Sequence, residues 1–406
     1  MENGLYRFNH RLKTAMKKAL WPGSTLFEDM GFTYLGPIDG HDLDRLCHVL
    51  EWARELRCPV VVHVYTVKGK GYSYAERNPE KFHGVAPFDP GTGLVKSPSG
   101  ESFSSVFGKT LISCGAEDSR VCAVTAAMAE GTGLAGFAKA FPERFFDVAI
   151  AEGHGAAMAA GLAKQGMIPV FAVYSTFLQR SYDMLVHDVA LQRLHVVLGV
   201  DRAGLVGADG ETHHGCLDAL FLSEIPGFTV LCPANFQELR TMLRQALFQY
   251  DGPVAVRYPR GGEGKFRRDT AGEAAVLLRQ GEDVTLLSYG VMVNHLLEAA
   301  EILEKEGIHA AVVKLNRIAP LDGGELSKVL GAPETLLVLE DSFAQGCVGQ
   351  RVCSLLSEQG RGPRRLILNN LGGGFAPEGS VAQLERRFGL DGQGTAAAVK
   401  EALRRG

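Results

Sequence analysis

Short apolar runs alternate with amphipathic stretches along most of the chain. The run PVVVHVYTV at residues 59–67 is largely β-branched, which predicts a buried parallel strand. A helix is predicted before it, because Leu43, Leu46 and Leu50 recur at helical spacing. Strands alternating with helices predict an α/β fold with parallel sheets and right-handed crossovers. Further strands are predicted in FFDVAIA, MIPVFAVYS, HVVLGV, TVLCPA, PVAVRYPR, DVTLLSYG, HAAVVKLN, TLLVLED and RRLILNN.

Two polar stretches rich in glycine interrupt this pattern and predict linkers at residues 86–103 and 263–275. The linkers leave a partial α/β piece at 1–85, a full α/β domain at 104–262 and a smaller α/β domain at 276–406.

Local signals refine three places in this plan. Residues 1–22 are basic and amphipathic, where an α/β domain would usually open with a strand. The stretch GFTYLGPIDGHD predicts a turn with Gly36-Pro37 and Asp39-Gly40, followed by a helix with Asp42 near its start. Farther along, Asn235 and Glu238 have the spacing of a capping box at the start of a helix.

Composition excludes several classes of protein. Apolar residues make up 46% and charged residues 22% of the chain, a balance typical of soluble globular proteins. The net charge of -4 gives no broad basic surface for nucleic acid. No apolar run reaches the roughly 18 residues of a membrane span, and no signal peptide is visible. The eight cysteines contain no CxxC pair, and most of them sit in apolar surroundings. We therefore expect most to be small core residues in a reducing cytoplasm, without disulfides or a zinc site.

The strongest candidate site lies between Asp147 and Asp183. Glu152 follows the predicted strand FFDVAIA, and Tyr174, Phe177 and Arg180 follow the next one. Ligands bind at the carboxyl ends of parallel strands, so we expect two neighbouring strand ends to bring these side chains together. An acid, two aromatic rings and an arginine beside a glycine-rich turn suit a flat, charged cofactor.

Each of these residues alone also has an ordinary structural explanation. Glu152 could simply favour the positive end of its helix, an effect of roughly 0.3–1 kcal/mol. Tyr174 and Phe177 could be core aromatics, and Arg180 could form a weak surface ion pair. Their grouping at strand ends favours a site.

Three further stretches carry candidate chemistry. The long polar loop after HVVLGV holds Asp209, His213 and His214, and loops of this length in compact domains are usually functional. Arg260 lies just past the strand PVAVRYPR, and Tyr72 lies in the short basic loop KGKGY. The chain has no GxGxxG after a strand, no P-loop and no GxSxG elbow, which argues against dinucleotide, P-loop nucleotide and hydrolase sites.

Several of these strings occur in the order of one known family. DVAIAEGHGAAMAAGLA, YSTFLQRSYDMLVHDVALQ, DRAGLVGADGETHHG, RYPRGG and GPIDGHD together resemble 1-deoxy-D-xylulose-5-phosphate synthase, a thiamine-diphosphate-dependent family similar to transketolase. The resemblance implies a transketolase-like fold. Residues 104–262 would be the pyrimidine-binding domain, 276–406 the transketolase C-terminal-like domain, and 1–85 a remnant of the diphosphate-binding domain.

The resemblance also implies a reaction. The family condenses pyruvate with glyceraldehyde 3-phosphate to 1-deoxy-D-xylulose 5-phosphate and carbon dioxide. This is the first step of non-mevalonate isoprenoid precursor synthesis, and it also feeds thiamine and pyridoxal synthesis. The implied cofactors are thiamine diphosphate and Mg²⁺, and the implied assembly is a homodimer.

Roles for individual residues follow from the matched motifs. Glu152 matches the glutamate that bonds the aminopyrimidine ring of thiamine and favours its imino tautomer, which removes the thiazolium C2 proton. Phe177 matches the aromatic residue that stacks on that ring, and Tyr72 matches a tyrosine that contacts the cofactor. Three residues match those that hold the sugar-phosphate acceptor in the family: Tyr174, Arg180 and Arg260. Three more match polar groups that handle protons and hydroxyls near the acceptor aldehyde: His83, Asp209 and His213.

The chain departs from the family pattern in two respects. Gly153 and Gly155 stand where the family has glutamine and alanine, which should loosen the helix start by roughly 1 kcal/mol per residue. The Gly-Asp-Gly…Asn signature for magnesium and diphosphate is missing, so no metal ligand is assigned and the Mg²⁺ ligands are expected in an N-terminal part that the chain lacks. We therefore predict that this polypeptide alone binds thiamine diphosphate weakly or not at all.

Three interpretations remain open. The chain could act with a separate polypeptide that supplies the N-terminal half, as in split transketolase-like enzymes. It could be a catalytically silent paralogue that acts as a dimerising or binding module. It could be the β half of a 2-oxoacid dehydrogenase, although YSTFLQR and DGETHHG argue against this.

Overall fold

The computed structural model of the chain describes residues 25–79, 81–85, 87–95 and 100–405. The basic stretch at residues 1–22 lies outside them. The chain forms two compact units, one ending at residue 99 and one starting at residue 100. None of the helices in the described ranges is both long and apolar enough to cross a membrane.

The first unit contains two small pairs of strands. Strands β1 (Thr33–Asp39) and β2 (Val60–Tyr65) pair in parallel, and β3 (Phe88–Asp89) and β4 (Leu94–Val95) pair antiparallel. The helices of this unit are α1 (Leu26–Asp29), α2 (Leu43–Glu55) and α3 (Ser73–Arg77).

Two sequence predictions in this unit are wrong. The turn predicted at Gly36–Pro37 is part of strand β1, whose register shifts between Leu35 and Ile38, so this pair is a local irregularity and not a chain reversal. The turn predicted at Asp39–Gly40 is confirmed, because β1 ends at Asp39 and Gly40 lies in a turn. Strand β2 is only partly buried within this unit, because a two-stranded sheet leaves His63 and Tyr65 uncovered. Helix α2 begins as predicted: the Asp42 carboxylate accepts from the Arg45 N–H at 3.1 Å.

The second unit begins with a sheet whose strands are parallel except at one edge. Its seven strands in the described residues follow the order β14-β9-β10-β8-β7-β5-β6. Apolar side chains fill both faces of its central strands. The bounds are β5 (Val121–Thr125), β6 (Phe145–Asp147), β7 (Ile168–Tyr174), β8 (Val197–Asp201), β9 (Thr229–Leu231), β10 (Val254–Arg257) and β14 (Arg317–Ala319).

Helices cover both faces of this sheet. They are α4 (Phe103–Glu117), α5 (Ala135–Ala140), α6 (Glu152–Lys164), α7 (Ser175–Leu178), α8 (Tyr182–Met184), α9 (Asp218–Glu224) and α10 (Phe236–Phe248). A π-helical segment, Leu185–Ala190, follows α8.

The C-terminal part of the second unit builds a five-stranded sheet of described residues in the order β11-β13-β12-β15-β16. Its strands are β11 (Ala275–Arg279), β12 (Val284–Tyr289), β13 (Ala310–Leu315), β15 (Thr335–Leu339) and β16 (Arg365–Asn369). Its helices are α11 (Val293–Glu304), α12 (Gly323–Leu330), α13 (Val348–Glu358), α14 (Val381–Phe388) and α15 (Gly392–Arg404).

The α/β fold class and the dominance of parallel pairing are confirmed, but each large sheet has one antiparallel edge strand that sequence analysis missed. Strand β11 pairs antiparallel with β13, and β14 pairs antiparallel with β9. Strand β14 therefore extends the first sheet with residues from the C-terminal part, which joins the two parts of the unit.

Only one of the two hydrogen bonds of the predicted capping box forms at the start of α10. The Asn235 side chain accepts from the Glu238 N–H at 2.9 Å, as predicted. The Glu238 carboxylate does not bond back to Asn235. It is fully buried, accepts from the Ala234 N–H at 2.7 Å and pairs with Lys314 at 3.0 Å. The buried ammonium of Lys314 requires a carboxylate partner, which draws Glu238 inward.

Candidate active site

Glu152 is the first residue of helix α6, and the chain turns sharply before it. Strand β6 ends at Asp147, earlier than the predicted run FFDVAIA. The Asp147 carboxylate accepts from the N–H groups of Ala127 at 2.8 Å and Ala149 at 3.0 Å, and Ala149 has a positive φ of 57°. This turn replaces the end of the predicted strand and places Glu152 3% exposed at the helix start.

Glu152 forms an asymmetric ion pair with Arg180. Arg180 Nη1 donates to Glu152 Oε1 at 3.1 Å; the carboxylate side chain is 4% exposed and the arginine side chain 61%. The predicted neighbouring strand ends are in fact separated by β5, which lies between β6 and β7. The two side chains nevertheless meet, because helix α6 packs against the turn that carries Arg180. The exposed Arg180 side chain thus reaches the buried Glu152 carboxylate from the solvent side.

An aromatic pair continues from this ion pair. The rings of Tyr174 and Phe177 stack with centroids 5.9 Å apart and planes at 20°. The Arg180 guanidinium lies 5.6 Å from the Phe177 centroid, and the His213 ring meets Phe177 edge-on at 5.3 Å. The structure therefore brings Glu152, Arg180, Phe177, Tyr174 and His213 into one continuous set of contacts.

Arg202 joins this set, and sequence analysis missed it. Tyr174 and Asp201 are register partners in strands β7 and β8, so the residue after Asp201 lies beside Tyr174. The Arg202 guanidinium stacks 3.8 Å from the Tyr174 centroid and donates to the Gly131 carbonyl at 2.7 Å. The available signal was an arginine directly after a buried strand, the same signal that identified Arg260.

A buried carboxylate supports Arg202. Asp201 is fully buried, and its Oδ1 accepts from Arg202 Nη1 at 3.0 Å. Burial raises the pKa of Asp201 to about 6, although the Arg202 guanidinium opposes the shift. Two nearby buried polar atoms have no hydrogen-bond partner among the described residues: Arg202 Nε and the Tyr258 hydroxyl.

This titration gives a pH-dependent stability. The pKa of Asp201 is about 6 in the folded chain against 3.8 as reference, so the folded state binds the proton more tightly and is stabilised at acid pH. We expect the stability of the wild type relative to Asp201→Asn to fall by on the order of 3 kcal/mol as pH rises from about 4 to 7. Urea unfolding of both proteins across this range measures it. Parallel pH profiles would contradict the assignment.

Asp209 and Arg260 form a second ion pair beside Tyr174. Asp209 lies in a 3₁₀ turn, Gly207–Asp209, and accepts from Arg260 Nη1 at 2.5 Å. Burial raises the pKa of the Tyr174 hydroxyl; among the smaller influences, Asp209 adds to the shift and Arg260 opposes it. The two arginines predicted to hold a phosphate, Arg180 and Arg260, are thus each paired with a carboxylate.

The remaining predicted site residues, Tyr72 and His83, belong to the first unit. The Tyr72 hydroxyl donates to the Pro90 carbonyl at 2.9 Å, and its ring packs among Tyr74, Phe82 and Phe88. His83 is exposed within the unit. Their roles toward the cofactor and acceptor remain predictions. In the described ranges, no group of three or more histidine, cysteine, aspartate or glutamate side chains could hold a metal ion.

The two glycines that depart from the family pattern have different surroundings. A Cβ at Gly155 would lie 2.8 Å from the buried Phe171 ring. A Cβ at Gly153 would lie 3.0 Å from the terminal methyl of Met184, the end of a flexible side chain. The Phe171 ring therefore fills the space that an alanine methyl group would occupy at residue 155.

Helix α6 offers a matched pair of glycine substitutions. Gly155→Ala is expected to destabilise the protein by about 1–3 kcal/mol, because Phe171 must shift in a packed core. Gly161→Ala, at an exposed position with nothing within 4 Å, should stabilise it by up to about 1 kcal/mol through helix propensity. Chemical denaturation of the two variants measures both. Equal effects at the two positions would contradict this packing.

Family comparisons match almost the whole chain. The model for the transketolase pyrimidine-binding domain matches residues 100–262, and that for the transketolase C-terminal domain matches 272–394. A third model, described as 1-deoxy-D-xylulose-5-phosphate synthase, matches residues 1–66.

Curated relatives carry the same description. Proteins named 1-deoxy-D-xylulose-5-phosphate synthase from Caldanaerobacter subterraneus and Heliobacterium modesticaldum are 43% and 45% identical to 97% and 98% of this chain. One from Geobacter sulfurreducens, named 1-deoxy-D-xylulose-5-phosphate synthase 1, is 44% identical over 98% of it. The chain spans 64%, 62% and 63% of these three relatives, respectively, which is less than two thirds of their length.

Solved structures show the same architecture. A structure described as a split gene transketolase, an inactive beta4 tetramer, is 29% identical with a TM-score of 0.67, and the match covers 75% of this chain and 99% of that one. Transketolase from Leishmania mexicana, 17% identical with a TM-score of 0.63 over 76% of this chain and 47% of that one, shares the fold.

Proposed function

Because this chain belongs to the 1-deoxy-D-xylulose-5-phosphate synthase family, we propose that it supplies the pyrimidine-binding half of a thiamine-diphosphate site. The reaction would be the condensation of pyruvate with glyceraldehyde 3-phosphate, with release of carbon dioxide. The observation that carries this proposal is the buried carboxylate of Glu152, which lies at a helix start beside Phe177 and Arg180.

These residues fit the pyrimidine ring of thiamine. The Glu152 side chain is 4% exposed but its partner lies at the surface, so a ring nitrogen could reach the carboxylate by displacing Arg180. Phe177 would hold the ring by stacking. Bound thiamine diphosphate supplies the carbanion chemistry, and this chain orients the ring and holds a proton at the Glu152 carboxylate.

The acceptor would bind among the paired arginines. Guanidinium groups bind phosphate bidentately, and Arg180, Arg202 and Arg260 lie around Tyr174 or its neighbour Phe177. Arg180 and Arg260 are engaged by Glu152 and Asp209, so a phosphate must compete with two carboxylates. We expect binding to release Asp209, which then joins His213 in handling protons near the acceptor aldehyde.

We further propose that the complete site requires residues outside this chain. Mg²⁺ and the diphosphate would be held by a polypeptide equivalent to the part of the relatives that the chain does not span. That half would complete the site, and the assembly would contain two copies of each half in the cytoplasm. The structural match to a split transketolase supports this arrangement.

A reconstitution experiment tests the proposal. The chain is titrated with thiamine diphosphate and Mg²⁺ by calorimetry, first alone and then with the unmatched N-terminal part of the Geobacter sulfurreducens relative. Carbon dioxide release from carboxyl-labelled pyruvate is followed with and without glyceraldehyde 3-phosphate. We expect binding and turnover only in the mixture. Micromolar binding by the chain alone, or a mixture that binds no cofactor, would refute it.

A silent binding module is the second candidate. The split transketolase structure is described as an inactive beta4 tetramer, and the similarity to it supports the proposal that this chain associates without turnover. A mixture in which the two polypeptides associate but neither cofactor binding nor carbon dioxide release appears would favour this candidate.

A further inference from the structure

His214 is buried between the loop that carries Asp209 and His213 and the C-terminal part of the second unit. It is 9% exposed. Its Nδ1 accepts from the Val206 N–H at 3.2 Å, and its Nε2 lies 3.1 Å from the Pro377 carbonyl oxygen. A backbone N–H can only donate and a carbonyl can only accept, so the imidazole is neutral with its proton on Nε2.

The base of this loop is closed by further contacts. The N–H and carbonyl groups of Gly204 and Gly215 bond to each other in both directions at 2.8 Å. A Cβ at Gly207 would lie 3.1 Å from the Val381 nitrogen, so the loop approaches the start of α14 closely. Leu205 and Cys216, on either side of the loop, pack in the hydrophobic core of the C-terminal part.

The two adjacent histidines have opposite surroundings. The His213 ring meets Phe177 in the candidate site, whereas His214 turns to Pro377. The chain forms two short 3₁₀ turns between Val206 and His214, in which the side chains of Asp209 and His213 are partly exposed. Fixing one histidine therefore limits where the other can lie.

We propose that His214 is a positioning residue that fastens the Asp209–His213 loop to the segment around Pro377. Its bonds to Val206 and Pro377 close the loop on one side and join it to the C-terminal part on the other. The C-terminal part thus acts on the acceptor site through His214. The catalytic consequence rests on the function proposed above, while the positioning itself does not.

A conservative and a non-conservative variant separate the effect of the two His214 hydrogen bonds from the effect of side-chain size. Gln carries one acceptor and one donor on a planar amide, so His214→Gln can accept from Val206 and donate to Pro377. His214→Leu fills similar space and can do neither. The matched control is His187→Leu, an exposed histidine paired with Asp183.

Hydrogen exchange on the full chain gives a readout independent of activity. We expect His214→Leu to speed exchange of the Val206 amide and of loop amides 207–213 about tenfold or more, and His214→Gln to stay within about threefold of wild type. His187→Leu should leave the loop unchanged. The proposal is overturned if His214→Leu matches wild type in the loop, if the Gln variant behaves like the Leu variant, or if exchange rises equally in β12 and β13.

Kinetics of the reconstituted assembly add a second readout. His214→Leu should lower kcat/KM for glyceraldehyde 3-phosphate about tenfold while the KM for pyruvate stays within about twofold, because the loop serves the acceptor. An equal loss for both substrates would remove the catalytic part of the proposal. If the wild-type assembly shows no turnover, the proposed function fails. The hydrogen-exchange result still tests whether His214 positions the loop.

Discussion

Replacing Arg257 by methionine is expected to destabilise the second unit by on the order of 3–5 kcal/mol. Arg257 is 4% exposed; its Nε donates to Asp218 at 2.9 Å and its Nη2 to Asp341 at 3.1 Å. Its guanidinium also lies 5.2 Å from the Tyr289 centroid. Removing the cation leaves two buried carboxylates facing each other without compensation.

Urea unfolding at neutral pH measures this effect against a surface control. Arg364 and Glu334 form an exposed pair at 3.5 Å, so Arg364→Met should change the free energy of unfolding by less than about 1 kcal/mol. Burial already raises the pKa of Asp218, and Arg257 opposes that shift. In the Arg257→Met variant the carboxylate should therefore protonate at higher pH, and the stability deficit should shrink as pH falls. Similar losses from Arg257→Met and Arg364→Met would contradict the argument.

This network shows why the sequence predicted the strand and not its partners. The short apolar run in PVAVRYPR predicts a buried strand, and β10 occupies Val254–Arg257. Asp218 and Asp341 come from positions 39 residues before and 84 residues after Arg257. A single sequence carries no signal that joins such distant charges. The same limit hid the Glu238–Lys314 pair, which disturbs the predicted capping box.

Edge strands were the main omission in the fold. The long β-branched runs were identified because burial on both faces leaves a continuous apolar pattern. Strand β14 has three residues and pairs antiparallel at an edge, so it has no periodicity to detect. Strand β1 was read as a turn because glycine and proline interrupt it, although its pairing with β2 continues on both sides of the interruption.

Sequence analysis predicted most residues of the candidate site, but not all the contacts among them. Strand-end reasoning identified Glu152, Tyr174, Phe177 and Arg180, which the structure joins by direct contacts. The contact between Arg202 and Tyr174 was not predictable in this way, because the stacking depends on the register between β7 and β8. Register is set by packing across the sheet and cannot be counted along the chain.

Glu152→Gln is expected to reduce carbon dioxide release by the reconstituted assembly by about 10²–10⁴-fold, the range typical of losing a general acid or base. Glutamine keeps the shape of the side chain and a hydrogen-bond acceptor for Arg180, but it cannot hold the proton. Because the Arg180 side chain is 61% exposed, losing the ion pair should cost little stability, and the variant should unfold at nearly the wild-type urea concentration.

The control is Glu143→Gln, an exposed carboxylate on the same part of the chain, which should leave turnover unchanged. Calorimetry separates binding from chemistry: Glu152→Gln should weaken thiamine diphosphate binding far less than it reduces turnover, since stacking on Phe177 and the diphosphate contacts remain. A Glu152→Gln assembly that keeps more than about a tenth of wild-type turnover would show that this carboxylate does not take part in proton transfer. In that case the pairing of Glu152 with Arg180 would serve only to hold the helix α6 start against the turn that carries Phe177.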